Sequence, residues 1–366
     1  MTQRVVIHVD LDYFYAQCEE NLNPSNREKP VIVCVYSGRT EESGVVSTSN
    51  YLARKYGVKA GIPIARAKKL LETAEAVFLP MNRSLYEEVS DRIMDMLRNC
   101  ADSFEKAGID EAYLEITNRT SGSFEKAAEI AAEMKQQILE QEHITCSIGI
   151  APNKLLAKIA SDHNKPNGLT IVNPGELAAF IAGLPVDKIP GVGKKVEENL
   201  NHLKVQTVSQ LRALDATNLI ETFGKSLGPY LYHAARGEDD EPVREREQPT
   251  QFSRIATLKK NTRDMSEMMP LLEELTNSVA QKLAETDMTC KSVGIIAILH
   301  DLSIHSKSRT LESPTADVKT ITKNVKDLIE QFLQSMPNAV ARRIGVRLSG
   351  LSRRSGQTDI SKFLHG

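Results

Sequence analysis

The stretches Ile7-His-Val-Asp-Leu-Asp12 and Gly108-Ile-Asp-Glu-Ala-Tyr-Leu114 decide the fold, because each mounts acidic residues on a run of strand-forming residues. Val5-Val-Ile-His-Val9 and Ala112-Tyr-Leu-Glu-Ile116 are β-branched and aromatic runs of strand length. Asp10, Asp110 and Glu111 are therefore expected on a sheet surface rather than on loose loops. Carboxylates fixed in this way suit Mg²⁺, which takes hard oxygen ligands, usually one or two carboxylates together with water and substrate phosphates. Neighbours on a straight strand point to opposite faces, so Asp110 and Glu111 can reach one ion only across a bend, which Gly108 can supply. Period two would also place Asp12 beside Asp10. Tyr13-Phe-Tyr-Ala-Gln-Cys-Glu-Glu20, however, reads as the first turns of a helix, and Asp12 is expected as its N-cap rather than as a ligand.

Outward from these strands, residues 1–166 alternate strand-like runs with helical ones near 85–98 and 123–141, the pattern of an α+β sheet domain. From 167 to 233 the chain turns helical and contains Ile189-Pro-Gly-Val-Gly-Lys-Lys195, which reads as a helix-hairpin-helix turn. Backbone N–H groups around Gly191 and Gly193, helped by Lys194 and Lys195, can hold a DNA phosphate without reading sequence, although a plain interhelical turn has the same local pattern. Residues 234–247 are charged, poor in apolar residues and contain Gly and Pro, as expected of an interdomain tether. Beyond them, four strand-like runs frame two helices near 266–285 and 315–335, a second small α/β sandwich. In its last strand Ile344, Val346 and Leu348 share one face with Arg342, while Arg343 and Arg347 share the other, so an apolar face backs a basic one.

A chain of 366 residues with these fractions of apolar and charged residues is expected to form two to four domains. No apolar run is long enough for a bilayer and Met1 begins no cleavable signal, so a soluble, cytoplasmic protein is expected. The five cysteines are scattered and odd in number, which points to buried thiols rather than zinc or disulfides; His8 reads as a core residue. Net charge is −2, but residues 244–366 hold 19 Lys and Arg against 14 Asp and Glu, whereas residues 1–243 hold 27 against 34. The C-terminal part is thus the expected gripper of a nucleic-acid backbone.

The stretches Val9-Asp-Leu-Asp-Tyr-Phe-Tyr-Ala-Gln17, Ser49-Asn-Tyr-Leu-Ala-Arg-Lys-Tyr-Gly57, Gly61-Ile-Pro63, Ile109-Asp-Glu-Ala-Tyr113, Ser147-Ile-Gly-Ile150, Asn153-Lys-Leu-Leu-Ala-Lys158 and Lys165-Pro-Asn-Gly168 together resemble the Y-family DNA polymerases, in the archaeal polymerase IV branch of translesion enzymes. The resemblance runs nearly end to end. It implies an α+β, multidomain right-hand architecture. Residues 1–10 and 79–166 would form a ferredoxin-like palm, 11–78 small fingers, 167–233 a thumb with the helix-hairpin-helix, 234–247 a linker, 248–352 a little finger and 353–366 a tail. It also implies template-directed addition of dNTPs to a primer 3′ end with two Mg²⁺, low fidelity, translesion synthesis and no proofreading nuclease.

Residue by residue, Asp10 and Asp110 would bridge both ions, Glu111 would hold the ion at the 3′-hydroxyl, and the Leu11 carbonyl would complete the nucleotide-side ion. Tyr51, Arg54 and Lys55 share one helix side by spacing. Family matches select Tyr51, Arg54 and Lys165 for the triphosphate, and Tyr15 for exclusion of a 2′-hydroxyl. Gly61, Ile62 and Pro63 would lie near the templating base, and Arg343 and Arg347 on duplex DNA. In the tail, Gln357, Ile360, Phe363 and Leu364 resemble a sliding-clamp-binding peptide, with leucine where the strongest motifs have a second aromatic. A monomer is expected. Two rival functions fit part of the pattern: a nucleotide cyclase, which has no use for the DNA-binding modules, and a non-catalytic DNA-binding protein, which does not require the acids.

Overall fold

The computed structural model describes residues 2–245 and 249–354. The chain divides into two compact units, one built from residues 1–35, 46–62 and 66–246, the other from 36–45, 63–65 and 247–366. The clamp-like tail residues Gln357, Ile360, Phe363 and Leu364 lie outside the described residues.

The first unit is organised by the strand Val6–Leu11 at the centre of a five-stranded sheet, in the order Ser103–Lys106, Glu111–Glu115, Val6–Leu11, Cys146–Ala151, Leu169–Ile171. All neighbouring pairs are antiparallel except the last. The central strand has no polar face to offer water, because helices cover both sides. Ile7, Val9 and Leu11 pack with Tyr86, Val89 and Ile93 of the helix Arg83–Asn99 and with Met134 and Ile138 of the helix Phe124–Glu142. Val6, pointing the other way, packs with Leu155, Leu156 and Ile159 of the helix Lys154–His163. The period of two then carries His8 and Asp10 along this second face. Register puts Tyr113 and Gly149 beside His8, and Glu111 and Ser147 beside Asp10.

Gly149 sets how closely the Lys154–His163 helix approaches. A Cβ there would stand 2.1 Å from the Ala157 carbonyl oxygen and 2.4 Å from the Ser161 nitrogen, both backbone atoms that cannot swing away. Contact at this range lets Ser161 Oγ meet His8 Nδ1 at 2.8 Å. At the start of the helix, Asn153 accepts from the Leu156 N–H as N-cap, and Lys154 is buried against both oxygens of Glu105, at 2.9 and 2.8 Å.

A smaller sheet orders Gly44–Ser49, Val31–Tyr36 and Val77–Pro80, with the short helices Tyr51–Lys55 and Ile64–Leu70 following. Asn50 caps Tyr51–Lys55 and accepts also from the Val31 N–H, while its amide donates to Glu20. The helices Leu177–Ala182, Lys194–His202, Val208–Arg212 and Ala216–Ala234 complete the unit around a separate apolar cluster.

The segment expected as a tether differs from that expectation. Residues 237–245 are held along the first unit: Asn153 donates to the Gly237 carbonyl, Leu155 N–H to Asp239, Arg4 to the Glu241 carbonyl and the Arg244 N–H to Glu105, and Arg98 pairs with Glu245. Charge-rich composition is here the signature of a polar strap, with buried Val243 as its apolar foot.

The second unit carries an antiparallel sheet in the order Ile304–Thr315, Met288–Leu299, Ala341–Arg353, Gln251–Thr262. The helices Met265–Glu285 and Val318–Ser335 cover one face and bury Ile344, Val346 and Leu348. The expected alternation holds: Arg343 is exposed and Arg347 half-buried on the face away from those helices, where register sets Thr257 and Ile298 beside Arg343, and Ser253 and Gly294 beside Arg347. Cys18, Cys34, Cys146 and Cys290 are buried thiols and Cys100 is half-buried. No helix among the described residues is long and apolar enough to cross a membrane.

Adding one methyl at Gly149 forces the Lys154–His163 helix off the sheet, so Gly149→Ala is expected to lower unfolding free energy by about 3 kcal/mol in urea denaturation. A loss below about 1 kcal/mol would show that the helix accommodates the methyl without cost.

Candidate active site

The three acids predicted from the sequence converge at the end of the central strand. Asp10 is in register with Glu111. Asp110 sits in the bend between the strands Ser103–Lys106 and Glu111–Glu115, where its carbonyl accepts from the Leu11 N–H at 2.8 Å. The bend expected at Gly108 is present, and the reason for glycine is proximity: a Cβ at this position would lie 3.1 Å from Glu111 Cγ.

Lysines stand on two of the three acids. Lys165 Nζ lies 2.7 Å from both Asp10 Oδ1 and Asp162 Oδ1, and Lys158 Nζ donates to Glu111 Oε2. Burial pushes Asp10 up to about 6, against the pull of Lys165, and raises Asp110, to which the neighbouring Glu111 charge adds. Lys165 is desolvated as well, but Asp10 and Asp162 raise it to about 12. Glu111 is held down at about 2 by its contacts with His8 and Lys158. Of these two, the hydrogen-bond geometry supports Lys158. His8 Nε2 stands 3.3 Å from Glu111 Oε2 without forming a hydrogen bond. Because the Ser161 hydroxyl donates to the Lys158 carbonyl, Ser161 Oγ accepts from His8 Nδ1, which therefore carries the proton. Burial keeps His8 neutral, lowering it to about 4.

Asp12 is neither the expected helix cap nor a ligand. The N-cap of Phe14–Leu22 is Tyr13, left-handed at φ 35° and without a side-chain cap. Asp12 instead is buried and accepts from Ser147 Oγ at 2.7 Å, Thr145 Oγ1 at 3.0 Å and the Asn167 N–H at 2.8 Å. It thereby fixes the loop that presents Lys165.

A cavity of about 300 Å³ joins Asp10, Leu11, Asp110, Tyr15, Tyr51, Arg54 and Lys165. The Arg54 guanidinium lies over the Tyr51 ring at 4.6 Å, and the Tyr13 ring meets Tyr51 edge-on at 5.2 Å, so both triphosphate candidates share one aromatic support. Lys55 is exposed. Gly61 and Ile62 pair with Val46, and Pro63 with Val45; Ala60, Ser47 and Thr48 line this cavity in their place. An adjoining groove runs from Lys158 and Asp162 to Asp187 and the turn Ile189–Gly193. Gly191 takes φ +87°, which demands glycine, and Tyr230 donates to the Pro190 carbonyl at 2.5 Å, bracing the turn. Lys194 and Lys195 open the helix that follows.

Among the described residues, no three His, Cys, Asp or Glu side chains already stand as a metal-ligating cluster. The donors nevertheless fit Mg²⁺: three carboxylates and a backbone carbonyl, all hard oxygens, two of the acids buried enough to resist ionisation without a nearby cation. Lys158 and Asp162 were not singled out from sequence, although Lys158, Asp162 and Lys165 recur at i, i+4 and i+7, a spacing that puts them on one helical face.

The chain matches the impB/mucB/samB family model over residues 9–162, its C-terminal domain model over 249–361, and the thumb-domain model of DNA polymerase iota over 187–239. It is 44% identical over 364 residues to the DNA polymerase IV of Nitrosopumilus maritimus, covering 99% of this chain and all of that one. It is 45% identical over 369 residues to that of Methanosarcina acetivorans, with the same coverage. Among solved structures, a Y-family DNA polymerase chimera of Dbh and Dpo4 superposes with a TM-score of 0.90 at 41% identity, covering 95% of this chain and 99% of that one. The insertion ternary complex of Dbh DNA polymerase follows at a TM-score of 0.68, also 41% identical, covering 94% and 98%. With its ferredoxin-like palm, small fingers, helical thumb and α/β little finger, the chain belongs to the Y-family DNA polymerases, of the archaeal DNA polymerase IV type, and is a DNA-directed DNA polymerase.

Proposed function

We propose that the chain extends a primer on a DNA template by two-Mg²⁺ phosphoryl transfer, at low fidelity and past damaged bases, without a proofreading nuclease. The observation that carries this is the single cavity in which Asp10 and Asp110 meet Tyr15, Tyr51, Arg54 and Lys165. A dNTP placed there has its triphosphate toward Arg54, Tyr51 and Lys165, its α-phosphate beside the acids, and its sugar over Tyr15. Asp10, Asp110, Glu111 and the Leu11 carbonyl would hold two Mg²⁺, which when bound neutralise the phosphates and favour ionisation of the primer 3′-hydroxyl. Arg54 binds phosphate oxygens as a fork, Lys165 as a point charge released from Asp10. The Tyr15 ring excludes a 2′-hydroxyl. The primer 3′-oxygen attacks the α-phosphate in line and pyrophosphate leaves.

In this reading residues 1–10 and 79–166 serve as palm, 11–78 as fingers, 167–233 as thumb and 248–352 as little finger. Gly61, Ile62 and Pro63 face the templating base, where small residues check its shape weakly. Gly191, Gly193, Lys194 and Lys195 hold DNA phosphates, as do Arg343 and Arg347, whose strand face is rich in serine and threonine and carries no aromatic readout. Gln357, Ile360, Phe363 and Leu364 recruit a sliding clamp. The enzyme works as a cytoplasmic monomer.

Extension of a labelled primer with dNTPs and Mg²⁺ tests the chemistry. Asp110→Asn and Glu111→Gln are each expected to slow it about 10³-fold, or about 4 kcal/mol, with DNA affinity changed less than about threefold. Extension within about tenfold of wild type would overturn the assignment. Pairwise replacement of Arg343 and Arg347 by alanine is expected to reduce the slope of log affinity against log salt by about two, equally on unrelated DNA sequences. An unchanged slope would remove both from the phosphate contacts.

The same acids give a pH dependence. Asp10 titrates near 6 in the folded chain against 3.8 as the ordinary value, so in metal-free buffer its contribution to stability is fully present below about pH 4 and is lost as pH rises through 6. Between pH 4 and 7 the unfolding free energy of wild type is expected to fall relative to Asp10→Asn by on the order of 2 kcal/mol. A difference that stays level with pH contradicts it.

A further inference from the structure

Tyr15 can refuse one extra oxygen only if its ring is held still, since a ring free to rock by a fraction of an ångström would admit the larger sugar. The helix Phe14–Leu22 fixes its backbone, but Tyr15 is half-buried and the helix itself constrains only the start of its side chain. The ring is positioned by another. Tyr86, on the helix Arg83–Asn99, stacks against Tyr15 with centroids 4.5 Å apart and planes 15° from parallel. Tyr86 is completely buried, at 0% exposure, and the Phe14 ring leans on its side at 6.5 Å.

Tyr86 is also pinned at its far end. Its hydroxyl donates to Glu19 Oε1 at 2.6 Å, a short charge-assisted bond inside the core. Glu19 is four residues beyond Tyr15 on the same helix, so the two share one face. Tyr86 therefore meets the Phe14–Leu22 helix at two points, with its ring under Tyr15 and its hydroxyl on Glu19. Bulk alone would fill this space equally well with a leucine or methionine. A flat, anchored ring adds a fixed plane for Tyr15 to lie on.

We propose that Tyr86 is a positioning residue for sugar selection: acting through Tyr15, it holds the gating ring at the height that admits deoxyribose and refuses ribose. The inference rests on the reading of Tyr15 as the residue facing the sugar. Tyr86 does not line the cavity assigned to the nucleotide. Its loss therefore changes which nucleotide is accepted more than how fast the correct one is added.

The test is single-nucleotide incorporation opposite a template guanine, with dCTP and CTP as probes and the ratio of their kcat/KM values as readout. Tyr86→Leu and Tyr86→Met remove the flat ring, the second with a flexible side chain that fills irregular space. Each is expected to lower the ratio at least about tenfold through faster CTP incorporation, with dCTP incorporation changed by less than about threefold. Tyr86→Phe, which keeps the plane, is expected to hold the ratio within about threefold of wild type. In a Tyr15→Ala background Tyr86→Leu is expected to add nothing, because the element it positions is gone. A Tyr86→Met enzyme that is folded by circular dichroism yet discriminates like wild type overturns the proposal, as does a fall in dCTP and CTP rates by the same factor. Tyr15→Ala separates the two ideas: if it leaves the ratio unchanged, the sugar-gate reading fails; if it opens the site while the Tyr86 variants do not, only the positioning role fails.

Discussion

Gathering three carboxylates at the end of one strand is electrostatically unfavourable, and much of the first unit is arranged around meeting that cost. Asp10 and Asp110 are buried, and Glu111 is close enough to raise Asp110 further. The Lys154–His163 helix and the loop after it answer with two ammonium groups, Lys158 on Glu111 and Lys165 on Asp10. Their placement depends on the sheet beneath. Gly149 admits the helix to backbone contact, and Asp12, fixed by three donors, ties down the loop that carries Lys165. His8, locked onto Ser161, holds the sheet and the helix in register beside Glu111. Without these supports the acids would be neutralised by protons rather than by lysines.

How much of this is legible in the sequence follows from distance along the chain. The acids, the Ile189–Lys195 turn and the alternation through Arg343–Leu348 are local patterns, and each is found where its pattern puts it. Asp12 is different. Period two places it on the face of Asp10, which the structure bears out, but its partners Thr145, Ser147 and Asn167 are more than a hundred residues away. No local pattern distinguishes a buried acceptor of three hydrogen bonds from a helix cap. The strap 237–245 is misleading for a related reason: charged residues expected in water pair instead with Arg4, Arg98 and Lys154, which only the fold brings near. The stack of Tyr15 on Tyr86, 71 positions apart in sequence, is equally invisible to periodicity.

The second unit solves a simpler problem with a simpler device. Two helices cover one face of an antiparallel sheet, and the face left open carries Arg343 and Arg347 among serine, threonine and the isoleucines Ile255, Ile296, Ile298 and Ile304. Such a surface sets charge and small hydroxyl groups beside aliphatic side chains. The helix-hairpin-helix turn is shaped at smaller scale by the left-handed Gly191 and braced by Tyr230. The first unit thus holds both the acids and this turn, and the second unit the arginine-bearing sheet face.

The lysines resting on the acids also change what a metal ion would meet on arrival. In a structural zinc site the unpaired ligands leave the chain unfolded until the ion arrives, so assembly waits on its availability. Here two of the three acids already have an internal counter-ion, Lys158 on Glu111 and Lys165 on Asp10. The site is therefore charge-matched in part by the chain itself, unlike a cluster whose ligands have no internal partner. An incoming cation would have to displace ammonium groups rather than enter a bare cluster of negative charge.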